Sequence, residues 1–261
     1  MLLLDCVNFR YPHKRHGNEL SPWVLKDICF KADAGEFVSV IGPSGCGKST
    51  LLALISGLLR PSEGRVLVNG TEVTGPSRTR VMIFQGHLVF PWKSAVQNIE
   101  FVLKSRGIPR YERRDMALDY LSKVRLESFA DAYPHQLSGG MQQRIGIARA
   151  LAAEPEILLL DEPFSSLDLV TKCAVIDELK EIATQMRKTV VLVTHNLDEA
   201  FYIGHRVHLM AASPGRITTT FDLTEGKPEQ LLALGRSREF QDFKEQVSTI
   251  MNGHQEERIH P

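Results

Sequence analysis

The feature that most constrains this chain is a glycine-rich segment at residues 42–50, which matches the pattern Gly-x4-Gly-Lys-[Ser/Thr]. An apolar, strand-like segment at 36–41 precedes it, and a helical pattern at 48–57 follows it. In that context glycines let backbone N–H groups turn inward toward phosphate oxygens, with the helix N-terminus adding positive charge. The sequence therefore predicts a nucleotide-binding loop rather than an ordinary glycine-rich turn. Its residues are Gly42, Pro43, Ser44, Gly45, Cys46, Gly47, Lys48, Ser49 and Thr50.

Two side chains of this loop have their own predicted roles. The Lys48 ammonium is expected to neutralise the β- and γ-phosphates, and the Ser49 hydroxyl to ligate Mg²⁺.

A second segment, residues 157–162, reads as a buried strand that ends in two adjacent acids, Asp161 and Glu162. One interpretation is a pair of solubilising charges at a sheet edge. We favour a site, because α/β proteins bind ligands at the carboxyl ends of their strands. Asp161 is then expected to hold Mg²⁺ through water, and Glu162 to orient and deprotonate an attacking water. Up to this point the residues indicate a nucleotide triphosphatase.

The hydrophobic periodicity predicts an α/β chain with parallel βαβ units and a helical block inserted among them. Strands are predicted at 2–9, 24–30, 36–41, 64–69, 80–84, 156–160, 189–194 and 206–210. Helices are predicted at 48–57, 94–104, 110–123, 139–153, 170–186, 197–203, 228–234 and 236–251. We expect one domain over 1–222, with the helical insertion at about 86–155, and a helical tail of the same domain over 223–261.

Composition excludes several other classes. Lys plus Arg and Asp plus Glu both total 31, so the basic excess of a nucleic-acid binder is absent from the sequence. Its apolar runs are far shorter than the roughly 20 residues that cross a bilayer, and residues 1–5 do not read as a signal peptide. The four cysteines lie far apart in sequence, so reduced thiols are expected. Any membrane role is expected to come through a partner.

Residues 137–144, Leu-Ser-Gly-Gly-Met-Gln-Gln-Arg, resemble the LSGGQ signature of ATP-binding cassette (ABC) ATPases, with Met141 where glutamine is usual. The other cassette motifs stand in the same order over about residues 2–210. Tyr11 resembles the aromatic A-loop residue, Gln85 the Q-loop glutamine, Asp168 the end of the D-loop, and His195 the H-loop histidine. The resemblance implies a P-loop NTPase core with a parallel sheet, an N-terminal antiparallel β subdomain and an inserted helical signature subdomain.

The resemblance also implies roles for these residues. Tyr11 would stack on adenine, although a tyrosine packed on the core is the alternative. Gln85 would ligate Mg²⁺ or hold the attacking water, and His195 would donate to the γ-phosphate. The other eight histidines, including His205 and His208, are interpreted as structural.

Ser138 is predicted to cap the 139–153 helix, so that the N–H groups of this helix face an anion. In the family arrangement, two subunits form a head-to-tail homodimer. Each signature segment then closes on ATP that its partner binds. The signature residues expected at the partner's ATP are Ser138, Gly139, Gly140 and Met141.

Family membership further implies transmembrane permease subunits, a solute-binding protein reached through them, and a position on the cytoplasmic face of the inner membrane. Phe90 and Trp92 are predicted to form the groove for the permease, with burial beneath the helical block as the alternative. Residues 88–99, 133–138 and 213–217 are similar to the nitrate/sulfonate/taurine branch of bacterial importers. An exporter or lipid-transport ATPase, or a soluble cassette protein acting on DNA or ribosomes, stays open as an alternative. We expect no nucleic-acid partner.

Overall fold

The computed structural model describes residues 1–12, 21–84, 86, 89–165 and 167–223 of the 261. The chain divides into two compact units: Met1–Pro76 together with the residues from 191 onward, and Ser77–Val190. Gln85 and the helices predicted at 228–234 and 236–251 lie outside the described residues. Over the described ranges, the structure contains no helix that is both long enough and apolar enough to span a bilayer.

The first unit contains a four-stranded antiparallel sheet with the order β2-β1-β4-β5. The strands are β1 (Leu2–Phe9), β2 (Leu25–Ala32), β4 (Glu63–Val68) and β5 (Thr71–Glu72). Burial nearly alternates along β2, because apolar residues at every second position face the core while Lys and Asp face solvent. The predicted N-terminal antiparallel subdomain is therefore confirmed.

A second sheet of the first unit pairs β3 (Phe37–Ile41) in parallel with β9 (Arg206–Ala211), and β9 in antiparallel fashion with β10 (Arg216–Asp222). Helix α6 (Leu197–Ile203) packs on this sheet through a cluster of apolar side chains. The fully or almost fully buried members are Ile41, Ala200, Phe201, Val207 and Leu209. Helix α1 (Lys48–Ser56) follows β3, and β8 (Thr189–Thr194) is buried along its whole length. A strand buried on both faces has no polar alternation, as its sequence shows.

The second unit pairs β6 (Arg80–Ile83) in parallel with β7 (Ile157–Asp161). Its helices are α2 (Ala95–Ser105), α3 (Arg110–Lys123), α4 (Gly139–Leu151) and α5 (Leu169–Gln185), with short 3-10 turns at Glu127–Phe129 and Pro134–Gln136. Side-chain caps fix where three of these helices begin. Ser94 accepts from the Gln97 amide, Ser138 from Met141, and Asp168 from Thr171.

The α/β class, the parallel pairing and the helical block are confirmed, and element ends shift by one or two residues from the predicted ones. The predictions missed β10 and β5. Strand β10 shows no alternation of apolar and polar residues, because its three threonines are exposed and only its second and sixth residues are partly buried.

The structural interpretation of His208 is confirmed. Its side chain is 3% exposed, lies against the ring of Phe30, and shares a 2.8 Å hydrogen bond between Nδ1 and the Thr220 hydroxyl. Burial, followed by the positive charge of Arg206, lowers the pKa of His208 to about 4. The imidazole is thus neutral at physiological pH and serves the core.

Gly57→Ala should destabilise the protein more than Gly70→Ala. Both glycines have φ near +80°, but a Cβ at Gly57 would lie 2.2 Å from the Gly75 carbonyl oxygen, while nothing lies within 4 Å of a Cβ at Gly70. The left-handed backbone alone costs about 1–2 kcal/mol, and forced overpacking about 1–3 kcal/mol more. Urea unfolding of both variants measures the difference in unfolding free energy. Equal losses of unfolding free energy in the two variants would show that the backbone at Gly75 moves aside at no cost.

Candidate functional site

The phosphate loop runs from the end of β3 into α1, as predicted. Gly45 and Gly47 have φ of +79° and +103°, so the chain turns through conformations that L-residues rarely adopt. Gly47 is the N-cap of α1 and provides no side-chain acceptor. Helix α1 therefore begins without the capping side-chain oxygen found at α2, α4, α5 and α6, and such a start suits an anion.

Lys48 lies across the loop that precedes it. Its side chain is buried, and Nζ donates to the carbonyl oxygens of Gly42 at 2.8 Å and Pro43 at 3.0 Å. Ser44, Gly45 and Ser49 are exposed, so the outer rim of the loop faces solvent. The ammonium is held at the centre of the loop, where it can compensate phosphate charge.

Tyr11 lies beside the start of α1 within the same unit. Its ring meets Phe9 edge-on at 4.9 Å, and its hydroxyl lies 3.3 Å from the Thr50 hydroxyl. The side chain remains 49% exposed. The contact with Phe9 orients the ring while half of its surface stays accessible, so both the packing and the stacking interpretation have a physical basis.

Asp161 and Glu162 occupy the end of β7, where the sequence placed them. Asp161 is 8% exposed as the last strand residue. Glu162 follows with φ of +45°, and its carbonyl accepts from the Ser165 hydroxyl at 3.0 Å. The strand therefore stops in a tight turn with a left-handed, strained residue at Glu162.

His195 is exposed directly after β8. The residues around it form a network: Thr194 Oγ1 donates to Glu199 Oε2 at 2.8 Å, and the Asn196 amide donates to Thr194 Oγ1 at 3.0 Å. Asn196 in turn caps α6. Sequence reasoning missed Glu199, which is 5% exposed and holds the loop that carries the histidine. The signal in the sequence was a glutamate four positions after His195.

The signature segment is confirmed as a capped, exposed helix start. Ser138 and Gly139 are exposed, and the Met141 amide donates to the Ser138 hydroxyl at 3.3 Å. Gln142, which the sequence analysis did not assign, donates from Nε2 to the carbonyls of Pro134 and Leu137. This glutamine therefore ties the helix to the loop that leads into it.

Helix α4, which begins at the signature segment, contacts helix α5, which follows the D-loop, within the second unit. A Cβ at Gly140 would lie 2.4 Å from Thr171 Cγ2, in the first turn of α5. Asp168, at the start of that helix, is exposed. The hydrogen bond from the Thr171 hydroxyl, and then that from its amide, holds the pKa of the Asp168 carboxyl below its ordinary value. Asp168 is thus a charged N-cap at physiological pH.

Phe90 and Trp92 lie at the start of the helical block, before α2. Trp92 is 70% exposed and meets the half-buried Phe90 at 5.5 Å, which excludes burial of both rings within this chain. Fully buried Asn98 accepts from the Phe90 amide at 2.7 Å, and the two hydrogens of its Nδ2 are shared among the carbonyls of Phe90, Lys93 and Ser94. Arg149 covers the Phe90 ring at 4.6 Å. Asn98 and Arg149 are positioning residues that the sequence analysis missed.

A cavity of about 280 Å³ opens between β6, α2 and α4 of the second unit. Its wall includes Phe84, which is 54% exposed, together with Val102 and Arg149. Arg149 thus lines this cavity and also contacts the Phe90 ring.

Together, the strand–loop–helix geometry and the capped signature helix define a P-loop ATPase of the cassette type. The family model described as ABC transporter matches residues 25–165, more than half of the chain. The chain belongs to the ABC transporter family, as an ATP-binding, ATP-hydrolysing protein.

Characterised relatives are similar over most of their length. The chain is 39% identical to the nitrate import ATP-binding protein NrtD of Synechocystis sp. over 246 residues, 92% of both chains. It is 41% identical to the aliphatic sulfonates import ATP-binding protein SsuB of Bacillus cereus, covering 85% of this chain and 84% of that one. The dimeric post-hydrolysis cassette MJ0796, bound to ADP and Pi, superposes with a TM-score of 0.72 at 36% identity, over 85% of this chain and 99% of that one.

Gly140→Ala should destabilise the protein, whereas Gly139→Ala should be neutral or stabilising by up to about 1 kcal/mol. An added methyl at Gly140 presses on the stiff Thr171 side chain, while the nearest atom to a Cβ at Gly139 is 3.9 Å away. Thr171→Ser removes the opposing methyl and keeps the hydroxyl. In thermal or urea unfolding, Thr171→Ser should therefore recover most of the stability lost in Gly140→Ala. A purely additive double mutant would disprove the contact.

Proposed function

We propose that this protein is the ATP-hydrolysing subunit that powers a multi-component ABC importer for a small oxyanion, sulfonate or related solute. The observation that carries the proposal is that one chain holds two helix N-termini suited to phosphate. One is the glycine-capped start of α1 and the other is the exposed, serine-capped start of α4. The names of NrtD and SsuB supply the direction of transport and the class of solute.

In the proposed site, the phosphate loop and Lys48 bind the β- and γ-phosphates of ATP. Mg²⁺ suits the oxygen donors that are present, since Ser49 offers an exposed hydroxyl and Asp161 a carboxylate at a strand end. Ser49 and Gln85 would hold the ion directly and Asp161 through water, and the bound ion supplies charge neutralisation at the phosphates. Glu162 orients the attacking water and takes its proton, while His195 donates to the γ-phosphate.

A homodimer is proposed because Ser138 and Gly139, at the start of the signature helix, are exposed. Ser138, Gly139, Gly140 and Met141 would contact the ATP that the partner subunit binds. The dimeric cassette MJ0796 supports this arrangement through its likeness in fold and sequence. ATP then joins the two subunits, and its hydrolysis separates them.

The aromatic surface at Phe90 and Trp92 is proposed as the docking place of a transmembrane permease. A solute-binding protein would act through that permease, and the subunit would lie on the cytoplasmic face of the inner membrane. The 70% exposure of the Trp92 side chain supports this role. We further propose an ATPase domain over 1–222 with its helical insertion at about 86–155, where α2, α3 and α4 fall, and a tail of the same domain over 223–261.

Glu162→Gln should bind ATP but hydrolyse it about 10²-fold or more slowly, because the amide cannot accept the proton of the attacking water. Size-exclusion chromatography should show an ATP-dependent dimer that persists. Glu181→Gln, a change at an exposed glutamate of α5, is the matched control and should retain the wild-type rate. Lys48→Ala should form no such dimer, since ATP binding itself is lost. Wild-type hydrolysis by Glu162→Gln would remove Glu162 from the mechanism.

Trp92→Ala should weaken association with the membrane partner while leaving the ATPase rate of the isolated subunit unchanged. The measurement is a tagged pull-down from mildly solubilised native membranes, with the recovered chains identified by mass. Tyr111→Ala, at an 80% exposed aromatic of α3, is the control. Wild type and Tyr111→Ala should recover a stoichiometric polytopic chain. Recovery of soluble partners alone would contradict the importer function and leave the ATPase chemistry standing.

A further inference from the structure

The pairing of β1 with β2 is irregular at two places. The register runs from Leu4 opposite Phe30 to Val7 opposite Ile28, so Asp5 and Cys6 together face Cys29. This is a β-bulge, in which one extra residue on one strand bends the backbone and redirects a side chain. Cys6 has φ of +49° within it.

Asn8 holds this irregular region together. Its side chain is 8% exposed; Oδ1 accepts from the Asp27 amide at 2.8 Å, and Nδ2 donates to the Cys6 carbonyl at 3.3 Å. Nδ2 also lies 3.3 Å from Glu63 Oε2 on β4. One buried amide therefore links the bulged residue of β1 to the strand that carries Cys29.

The neighbouring strand β4 fixes the bulge from the other side. A Cβ at Gly64 would lie 2.2 Å from the Cys6 carbonyl oxygen and 2.5 Å from that of Asp5. Only glycine permits this approach. The backbone of Cys6 is thus restrained by β2, by β4 and by Asn8.

The bulge brings two thiols into contact. Cys6 Sγ and Cys29 Sγ lie 3.3 Å apart, and both residues are exposed. A disulfide requires an S–S bond of about 2 Å between side chains whose Cβ atoms already face each other. We propose that Cys6 and Cys29 form a reversible dithiol–disulfide site on the exposed face of the β1–β2 pair, oxidised by low-molecular-weight disulfides.

The reaction is two successive thiol–disulfide exchanges. The thiolate of one cysteine attacks a small disulfide RSSR, forming a protein–S–SR bond and releasing RS⁻, which takes up the proton that the thiol lost. The second thiolate then attacks the protein sulfur of that mixed disulfide, forming the Cys6–Cys29 bond and releasing a second RSH. Two protein thiols are oxidised and one RSSR is reduced to two RSH.

The environment favours the reduced pair until an oxidant arrives. The hydrogen bond with the Cys29 thiol raises the pKa of the Cys6 thiol above its ordinary value, and the negative charges of Asp5 and Asp27 raise it further. Asp5 is itself paired with Arg65 of β4 at 2.8 Å. The Cys6 thiol therefore stays protonated at physiological pH until it meets an oxidant.

A Cys6–Cys29 disulfide would link β1 to β2, the two strands between which Tyr11 lies in the sequence. A cross-link there reduces the freedom of the unfolded chain and should raise the resistance of the first unit to unfolding. The cysteine pair is thus a modification site that changes stability, separate from the residues assigned to ATP.

The test treats the purified full chain with excess 2-hydroxyethyl disulfide, alkylates remaining thiols without reduction, and maps the digest by mass spectrometry. We expect a Cys6–Cys29 cross-linked peptide with a mass two hydrogens below the sum of its two reduced peptides, a raised Tm, and reversal of both by dithiothreitol. Cys6→Ser and Cys29→Ser should form no such peptide and should each carry a mixed disulfide on the remaining thiol of the pair. Cys173→Ser, at an exposed cysteine of α5, should form the cross-link as wild type does.

Asn8→Ala keeps both thiols and tests the positioning. It should form the cross-link several-fold more slowly than wild type, with adducts of the small thiol accumulating on the way. Stable separate adducts on Cys6 and Cys29 in the wild-type chain, or a cross-link that involves Cys173, would overturn the proposal. An unchanged rate in Asn8→Ala would refute the role of the bulge.

Discussion

The start of the phosphate loop packs against another segment of the backbone so closely that no side chain fits between them. A Cβ at Gly42 would lie 2.4 Å from the Met210 carbonyl oxygen, and one at Gly215 would lie 2.1 Å from that of Cys46. The turn between β9 and β10 therefore supports the loop from below. Everything that α1 and Lys48 offer to a nucleotide depends on this support, so glycine serves packing here as well as phosphate access.

Those parts of the site that follow from local sequence were predictable. The loop spacing placed Lys48, a buried apolar run placed Asp161 at the end of its strand, and a serine before two glycines placed the cap of α4. In each case the neighbours along the chain determine the geometry within one or two turns. Local rules of hydrogen bonding and strand burial suffice for such features.

Other parts depend on contacts between distant residues and left no readable pattern. The edge strand β10 is exposed at most positions, so its hydrophobic signal is weak although it pairs along its length with β9. Arg149 reaches Phe90 from another helix. The contact of Cys6 with Cys29 depends on a single shift of register, and cysteine spacing in the sequence carries no information about it.

Two departures of the backbone from local preference lie at the proposed ATP site. Helix α1 begins at a glycine while α2, α4, α5 and α6 begin at capping side chains, and Glu162 adopts a left-handed conformation at the end of β7. Both departures lie at residues proposed to act on ATP, in keeping with strain concentrated at functional sites. Cys6 and Asp27 are left-handed as well, yet they have no place in that chemistry. Both residues are hydrogen-bonded to the side-chain amide of Asn8, which holds the two strands in the register that brings the thiols together. The irregular β1–β2 pair thus fits the proposed dithiol site, which is distinct from nucleotide binding.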